Sequence, residues 1–283
     1  MYTLFIAIGL AATAIVLPML FGVDGIWTAL PGMFVGIGAF VLMSRRIAKR
    51  VEAVTNAADQ EMHNMQSMAQ RGGAKAQGGM MRCIDAAVSR LKGGLVFKKW
   101  QLGVSTMLNA RIGMLYYTKA LLMQQFNQKA GEKQALSEAI PFLEASYIKG
   151  LRARLLSALW PAWAMLAVAY YRTDRVDRAI EILESSVKAA KKTGLLWSLY
   201  AWLLWKKKRN EEAIAVLIRG SDAASDDRHL RENLTALQNQ KGMKMRPYGE
   251  QWYQFGLERP KAAATGNQAR MGHPRMRGGM RRR

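Results

Sequence analysis

The feature that most constrains this chain is a self-similarity at a spacing of 34 residues. Trp163 and Trp197 stand 34 positions apart, as do Leu166 and Tyr200, Ala167 and Ala201, Tyr170 and Leu204, Ala179 and Ala213, and Leu183 and Leu217. Coincidences at one period signal a repeated supersecondary unit. Within the unit, Trp163, Leu166 and Tyr170 fall at i, i+3 and i+7, one face of a first helix, and Ala179 and Leu183 lie four apart on a second. Thr173-Asp174-Arg175 and Lys208-Arg209-Asn210 supply polar turns between the helices. Small residues at the closest approach and large ones in the gaps make an antiparallel pair. One pair cannot bury its own apolar face, so pairs must stack. The expected class is all-α, built around an α-solenoid.

The order Trp, Leu-Ala, Tyr, then Ala and Leu resembles the tetratricopeptide repeat family. An earlier, degenerate copy fits Ile112-Gly113-x-x-Tyr116, with Ala139, Leu143 and Ser146 as its second helix. Tyr116 and Ala139 are 23 apart where the regular copies have 9, which implies an insertion of 14 residues around 121–134 and longer helices. The resemblance covers about residues 106–240. It implies a scaffold whose concave face, lined by the first helix of each pair, holds a protein partner. Tyr171, Arg172, Trp202, Trp205 and Lys206 are the exposed partner-binding candidates on those helices. Leu230, Leu234 and Leu237 give residues 226–240 the single apolar face of a capping helix.

Residues 2–43 contain no Lys or Arg and one acid, Asp24. Two apolar runs, 2–22 and 26–43, each approach the roughly 20 residues that a membrane-crossing helix needs. Val23-Asp24-Gly25 between them predicts a transmembrane helical hairpin. Gly32-x-x-x-Gly36 provides a small-residue face for helix packing. Pro18 and Pro31 are expected near helix ends or at bends. The first run lacks the positive start of a cleaved secretory signal. Arg45, Arg46, Lys49 and Arg50 follow the second run at once and place that flank in the cytoplasm. The expected protein is a multi-pass component of the inner, cytoplasmic membrane with its C-terminal domain in the cytoplasm.

Ile47, Val51, Val54, Ala58, Met62, Met65 and Met68 recur at three and four, so residues 44–70 read as an amphipathic helix. It either self-associates, which leaves a homo-oligomer open, or packs on the chain's own domain. The Gly-rich stretch 71–79 reads as a flexible linker, and a break is expected at Gly93-Gly94. The resulting division is 1–43 hairpin, 44–79 juxtamembrane helix and linker, and 80–240 helical domain with repeats near 106–153, 160–193 and 194–227 and a cap at 228–240. A docking segment at 241–260 and a disordered basic tail at 261–283 follow. Tyr248, Trp252, Tyr253 and Phe255 crowd the docking segment and should bind the chain's own repeats or another protein. The tail has seven basic residues and no acid, suited to anionic lipid or nucleic acid.

The net charge of +22 favours anionic surfaces without choosing among them. Cys83 stands alone, as do His63, His229 and His273, with no metal-ligand spacing and no nucleotide or hydrolase motif. The Asn233-Leu234-Thr235 sequon has no meaning on a cytoplasmic helix. No catalysis, cofactor or metal is expected. The functional expectation is a membrane-anchored adaptor that recruits protein partners. The alternatives are membrane-tethered nucleic-acid binding through the tail, or a structural subunit of a membrane complex.

Overall fold

The computed structural model describes residues 2–19, 25–71, 74–100 and 103–259, among which there is no strand. The apolar start forms α1 (Tyr2–Met19) and the first half of α2 (Gly25–Arg71). They meet through small residues. A Cβ on Gly32 would lie 2.3 Å from Ile15 Cγ1, and one on Gly36 would lie 2.7 Å from Ala11 Cβ. Phe5, Ile8, Leu17, Phe34 and Leu42 point outward, each more than half exposed. The pair is therefore inside out, with small residues at the seam and large apolar side chains outside, the reverse of a helix pair packed for water. By length and composition α2 can cross a membrane from Pro31 onward, while the other apolar helix is shorter. Pro18 is the penultimate residue of α1, and Pro31 lies in the second turn of α2. The expected turn falls mostly outside the described residues, and the basic tail at 261–283 does so entirely.

Past its apolar half, α2 runs on without a break to Arg71, about 70 Å in all at 1.5 Å per residue. Ile47, Val51 and Ala58 are buried in the same core as the repeats, so this second half of α2 packs on the chain's own domain. The helix α3 (Ala74–Gly94) returns beside it. Residues 74–79, read from composition as linker, are instead its first turns. Gly79 sits where a Cβ would come 2.7 Å from Met68 Sδ, so this glycine serves close helix packing and not chain freedom. The predicted break at Gly93-Gly94 is the end of α3, followed by a 3-10 turn at Leu95–Lys99.

Three helix pairs follow: α4 (Val104–Gln125) with α5 (Lys129–Ser146), α7 (Trp160–Arg172) with α8 (Val176–Ala189), and α9 (Gly194–Lys206) with α10 (Asn210–Ala223). The short α6 (Leu151–Leu155) connects the first pair to the second, and α11 (Arg228–Gln238) caps the stack. The first pair absorbs its insertion by lengthening both helices, to 22 and 18 residues against 13 and 14 in the regular pairs. Ala167 and Ala201 are fully buried, and a Cβ on Gly113 at the equivalent place would strike Leu143 at 2.6 Å. Trp163 Nε1 donates to the Ser146 carbonyl at 3.2 Å, and Trp197 Nε1 to that of Lys191 at 2.8 Å, so each signature indole ties its helix to the segment before it. Asp227 caps α11, its carboxylate accepting from the Leu230 amide at 3.0 Å, and the helix begins at the expected residue 228 and ends two residues short of 240.

The turns between paired helices share one strained residue. Asn127, Asp174 and Lys208 have φ of 58°, 59° and 61°. A non-glycine residue in this region costs about 1–2 kcal/mol, against roughly 0.5–1 kcal/mol of extra entropy for glycine. Asp174→Gly and Lys208→Gly should therefore each raise stability by roughly 0.5 kcal/mol, read as a small rise in Tm by circular dichroism in detergent. A fall in Tm would show that these side chains hold the turn by some other means.

Candidate functional site

The groove lies along α4, α7 and α9. Of the signature residues, Tyr116 stacks on Phe142 of α5 at 5.7 Å, Tyr170 Oη donates to Glu144, also of α5, and Leu204 is buried in the core. The next residue, Tyr117, Tyr171 or Trp205, turns to the groove. Tyr117 escaped the sequence reading, although its place beside Tyr116 matches that of Tyr171 beside Tyr170 and could have found it.

The groove is occupied by the chain itself. After α11 the backbone doubles back, and residues 243–257 cross α9, α7 and α4 as a strap that includes a 3-10 turn (Arg246–Tyr248) and the one-turn α12 (Glu250–Tyr253). Four anchors hold it. Asn233 in α11 is buried and accepts from the Lys244 amide at 2.7 Å, which explains an asparagine that the sequence reading dismissed with its sequon. Tyr248 Oη lies 2.8 Å from Ser198 Oγ and donates to the Asp227 carboxylate at 3.2 Å. Trp252 is fully buried, edge-on to Trp202 at 5.3 Å and to Phe255 at 6.0 Å. Tyr117 Oη donates to the Phe255 carbonyl at 2.7 Å. Gly256 lies near the end of the strap at φ 63°, where a Cβ would come 2.2 Å from a Leu121 methyl, so a larger residue would strain the backbone and force the Leu121 side chain to move.

Burial drives the chemistry of these phenols. The Tyr117 hydroxyl is pushed up to about 12 by desolvation, which outweighs the opposing charge and hydrogen bond of Arg172. Burial also raises Tyr248, against its hydrogen bond with Ser198, and raises Tyr171 and Tyr200.

The structure gathers the sequence-derived candidates but corrects their exposure. Trp202 is only 4% exposed, because Trp252 lies on it and Tyr171 meets it edge-on at 6.2 Å. Arg172 is largely buried and pairs with Glu132 of α5. What remains accessible is a rim. Tyr171 and Trp205 are half-buried, and Lys206 and Lys207 are exposed. Lys206 Nζ lies 4.7 Å from the Trp205 ring centre and 5.1 Å from that of Trp202, and Lys207 Nζ lies 5.3 Å from that of Tyr171, all within cation–π range. Gly242, just before the strap, lies against Trp205. Gly32 and Gly36 lie far off, on the α1 seam.

Residues 161–193, which span α7 from its second residue, the turn and all of α8, match the family described as tetratricopeptide repeat. The chain carries a tetratricopeptide repeat. No curated protein and no solved structure matches it. The matched tetratricopeptide unit is the first of the two regular pairs. A stack of such units offers an extended concave surface, the kind of site on which repeat scaffolds hold other proteins. In this tetratricopeptide stack the floor of that surface already holds an aromatic strap.

Proposed function

We propose that the chain is a membrane-anchored scaffold that gathers protein partners at the cytoplasmic face of the membrane. The observation that carries this reading is the inside-out packing of α1 on the first half of α2, joined by one unbroken helix to the core of the repeats. Large apolar side chains all round a two-helix unit find a favourable solvent only in lipid. The exposed cations Arg45, Arg46, Lys49 and Arg50 begin where the apolar run ends, and the positive-inside rule puts them and the repeats on the cytoplasmic side. A hairpin then leaves both chain ends in the cytoplasm. Partners dock on the groove rim, where Trp205 and Tyr171 offer aromatic area and Lys206 and Lys207 offer charge around the strap.

Membranes from cells expressing the full chain should keep it through alkaline carbonate washing. After mild solubilisation, a defined set of proteins should co-purify with it and fall at least fivefold with the Lys206→Glu, Lys207→Glu double substitution. Extraction by carbonate would end the anchor reading. A co-purifying set indifferent to the rim charges would end the rim as the recruiting surface.

A further inference from the structure

The three most exposed large apolar side chains outside α1 and α2, among the described residues, are Leu155 at 77%, Val96 at 74% and Leu151 at 73%. Two belong to α6, Leu-Arg-Ala-Arg-Leu. Ala153 is buried against the protein, while Leu151, Arg152, Arg154 and Leu155 all face outward. Five residues that turn two leucines and two arginines away from the fold are built for a surface that is apolar and anionic at once.

Their height in the molecule says which surface. Leu155 and Leu156 share the wall of one cavity with Ala48 and Val51 of α2 and with Gly103 at the head of α4. Ala48 lies five positions past Met43, the end of the apolar run, which is about 7 Å along a helix. The backbone before Gly103 is tied to the start of α1. The Thr3 hydroxyl donates to the Trp100 carbonyl at 2.7 Å, and Tyr2 meets the Trp100 ring edge-on at 5.7 Å. The start of α1, the exit of α2, the head of α4 and α6 thus share one level. Val96 belongs to the 3-10 turn that precedes Trp100. A Tyr–Trp pair at that height is the residue choice of a membrane–water interface.

A basic cleft of about 550 Å³ opens beside α6, lined by Arg154, Trp160, Lys188, Lys191 and Lys192, with no acid among its lining residues. Lys188 pairs with Glu184, but no ion pair engages Arg154, Lys191 or Lys192 among the described residues.

We propose that α6 and this cleft form a second contact with the membrane, in which Leu151 and Leu155 enter the headgroup boundary while the cleft takes the phosphates of anionic phospholipid. The inference rests on the anchored reading, because it is the anchor that sets the level of α6. Apolar insertion combined with cationic attraction is how interfacial helices hold to anionic leaflets. The contact fixes the edge of the solenoid against the bilayer and turns the groove rim away from it.

The test uses the full chain in lipid nanodiscs, with Cys83→Ala so that one introduced cysteine carries a fluorophore. Leu155→Cys reports the new contact, and Phe34→Cys reports the anchor. In discs with roughly one-third phosphatidylglycerol, lipid-borne nitroxide should quench the Leu155→Cys label strongly and aqueous iodide weakly. Pure phosphatidylcholine, high salt, or Arg154→Glu with Lys191→Glu and Lys192→Glu should each reverse that preference at least threefold without moving the Phe34→Cys signal. If Phe34→Cys is lipid-quenched while Leu155→Cys stays open to iodide in anionic discs, the second contact is overturned and the anchor stands. If neither is lipid-quenched, the anchor itself fails. Protection of Leu155→Cys only on addition of RNA or of a protein partner would reassign the surface and overturn the proposal.

Discussion

Trp252→Ala should lower the stability of the repeat domain by about 4 kcal/mol, the middle of the usual range for truncating a buried aromatic. Trp252 is fully buried, stacks edge-on against Trp202 and Phe255, and its Nε1 donates to Glu258 at 3.2 Å. Truncation removes the contacts that join the strap to α9 and leaves a void that the surrounding helices cannot close. Denaturant unfolding in detergent, followed by tryptophan fluorescence and circular dichroism, should show the loss. Limited proteolysis should cut near residues 240–250 far faster than in the unaltered chain. Trp205→Ala, at a half-buried rim position, should cost distinctly less. A Trp252→Ala variant within about 1 kcal/mol of the parent would mean that the strap is not part of the core. If the strap does release, the variant also exposes the floor of the groove, and aromatic peptides that the parent ignores should bind it.

The second large effect is alkaline. The Tyr117 phenol titrates near 10 when unfolded, but burial pushes it up to about 12 in the folded chain. Because the folded-state value is raised, the contribution of Tyr117 is fully present below pH 10 and is lost as pH climbs from 10 through 12. At about 1.4 kcal/mol per unit, a shift of this size is worth a little under 3 kcal/mol. Tyr248, Tyr171 and Tyr200 shift in the same direction, so the steep alkaline limb of the parent is shared, and the comparison with Tyr117→Phe isolates one phenol. That variant should lose roughly 1 kcal/mol at pH 8, since the Phe255 carbonyl loses its donor, and should show a shallower decline from pH 10 to 12. Parallel curves for the two chains would show that Tyr117 is not held neutral by burial.

Much of the architecture is local and was legible. Trp163, Leu166, Tyr170, Ala179 and Leu183 encode a helix pair through spacing alone, because helical periodicity and small-residue contacts act within a few turns. The same logic located the long first pair, the end of α3 at Gly94 and the cap. It failed where a residue type has two physical uses. Gly78-Gly79 reads as chain freedom in a list of residues, yet Gly79 is pressed against Met68. Trp202 reads as an exposed anchor, yet Trp252, fifty positions away, covers it.

The candidate site was half visible. The crowding of Tyr248, Trp252, Tyr253 and Phe255 marked a docking segment, and the aromatic run of α9 marked a receptive surface. Docking on the chain's own repeats was one of the two outcomes expected of that segment, but neither segment says that Trp252 meets Trp202 or that Tyr117 and Asn233 hold the ends. Likewise, the Arg-rich α6 is unremarkable as five letters and gains meaning only when the fold sets it level with Ala48 and Trp100.

What the sequence determined by itself was the unit: paired helices at a fixed period, and an apolar start. These follow from interactions between near neighbours. What only the tertiary structure decided was assembly: a strap closing the groove through Tyr117 and Phe255, 138 positions apart, and a basic cleft between α6 and α8. Contacts at such separations depend on how every intervening helix packs, so no local pattern can carry them.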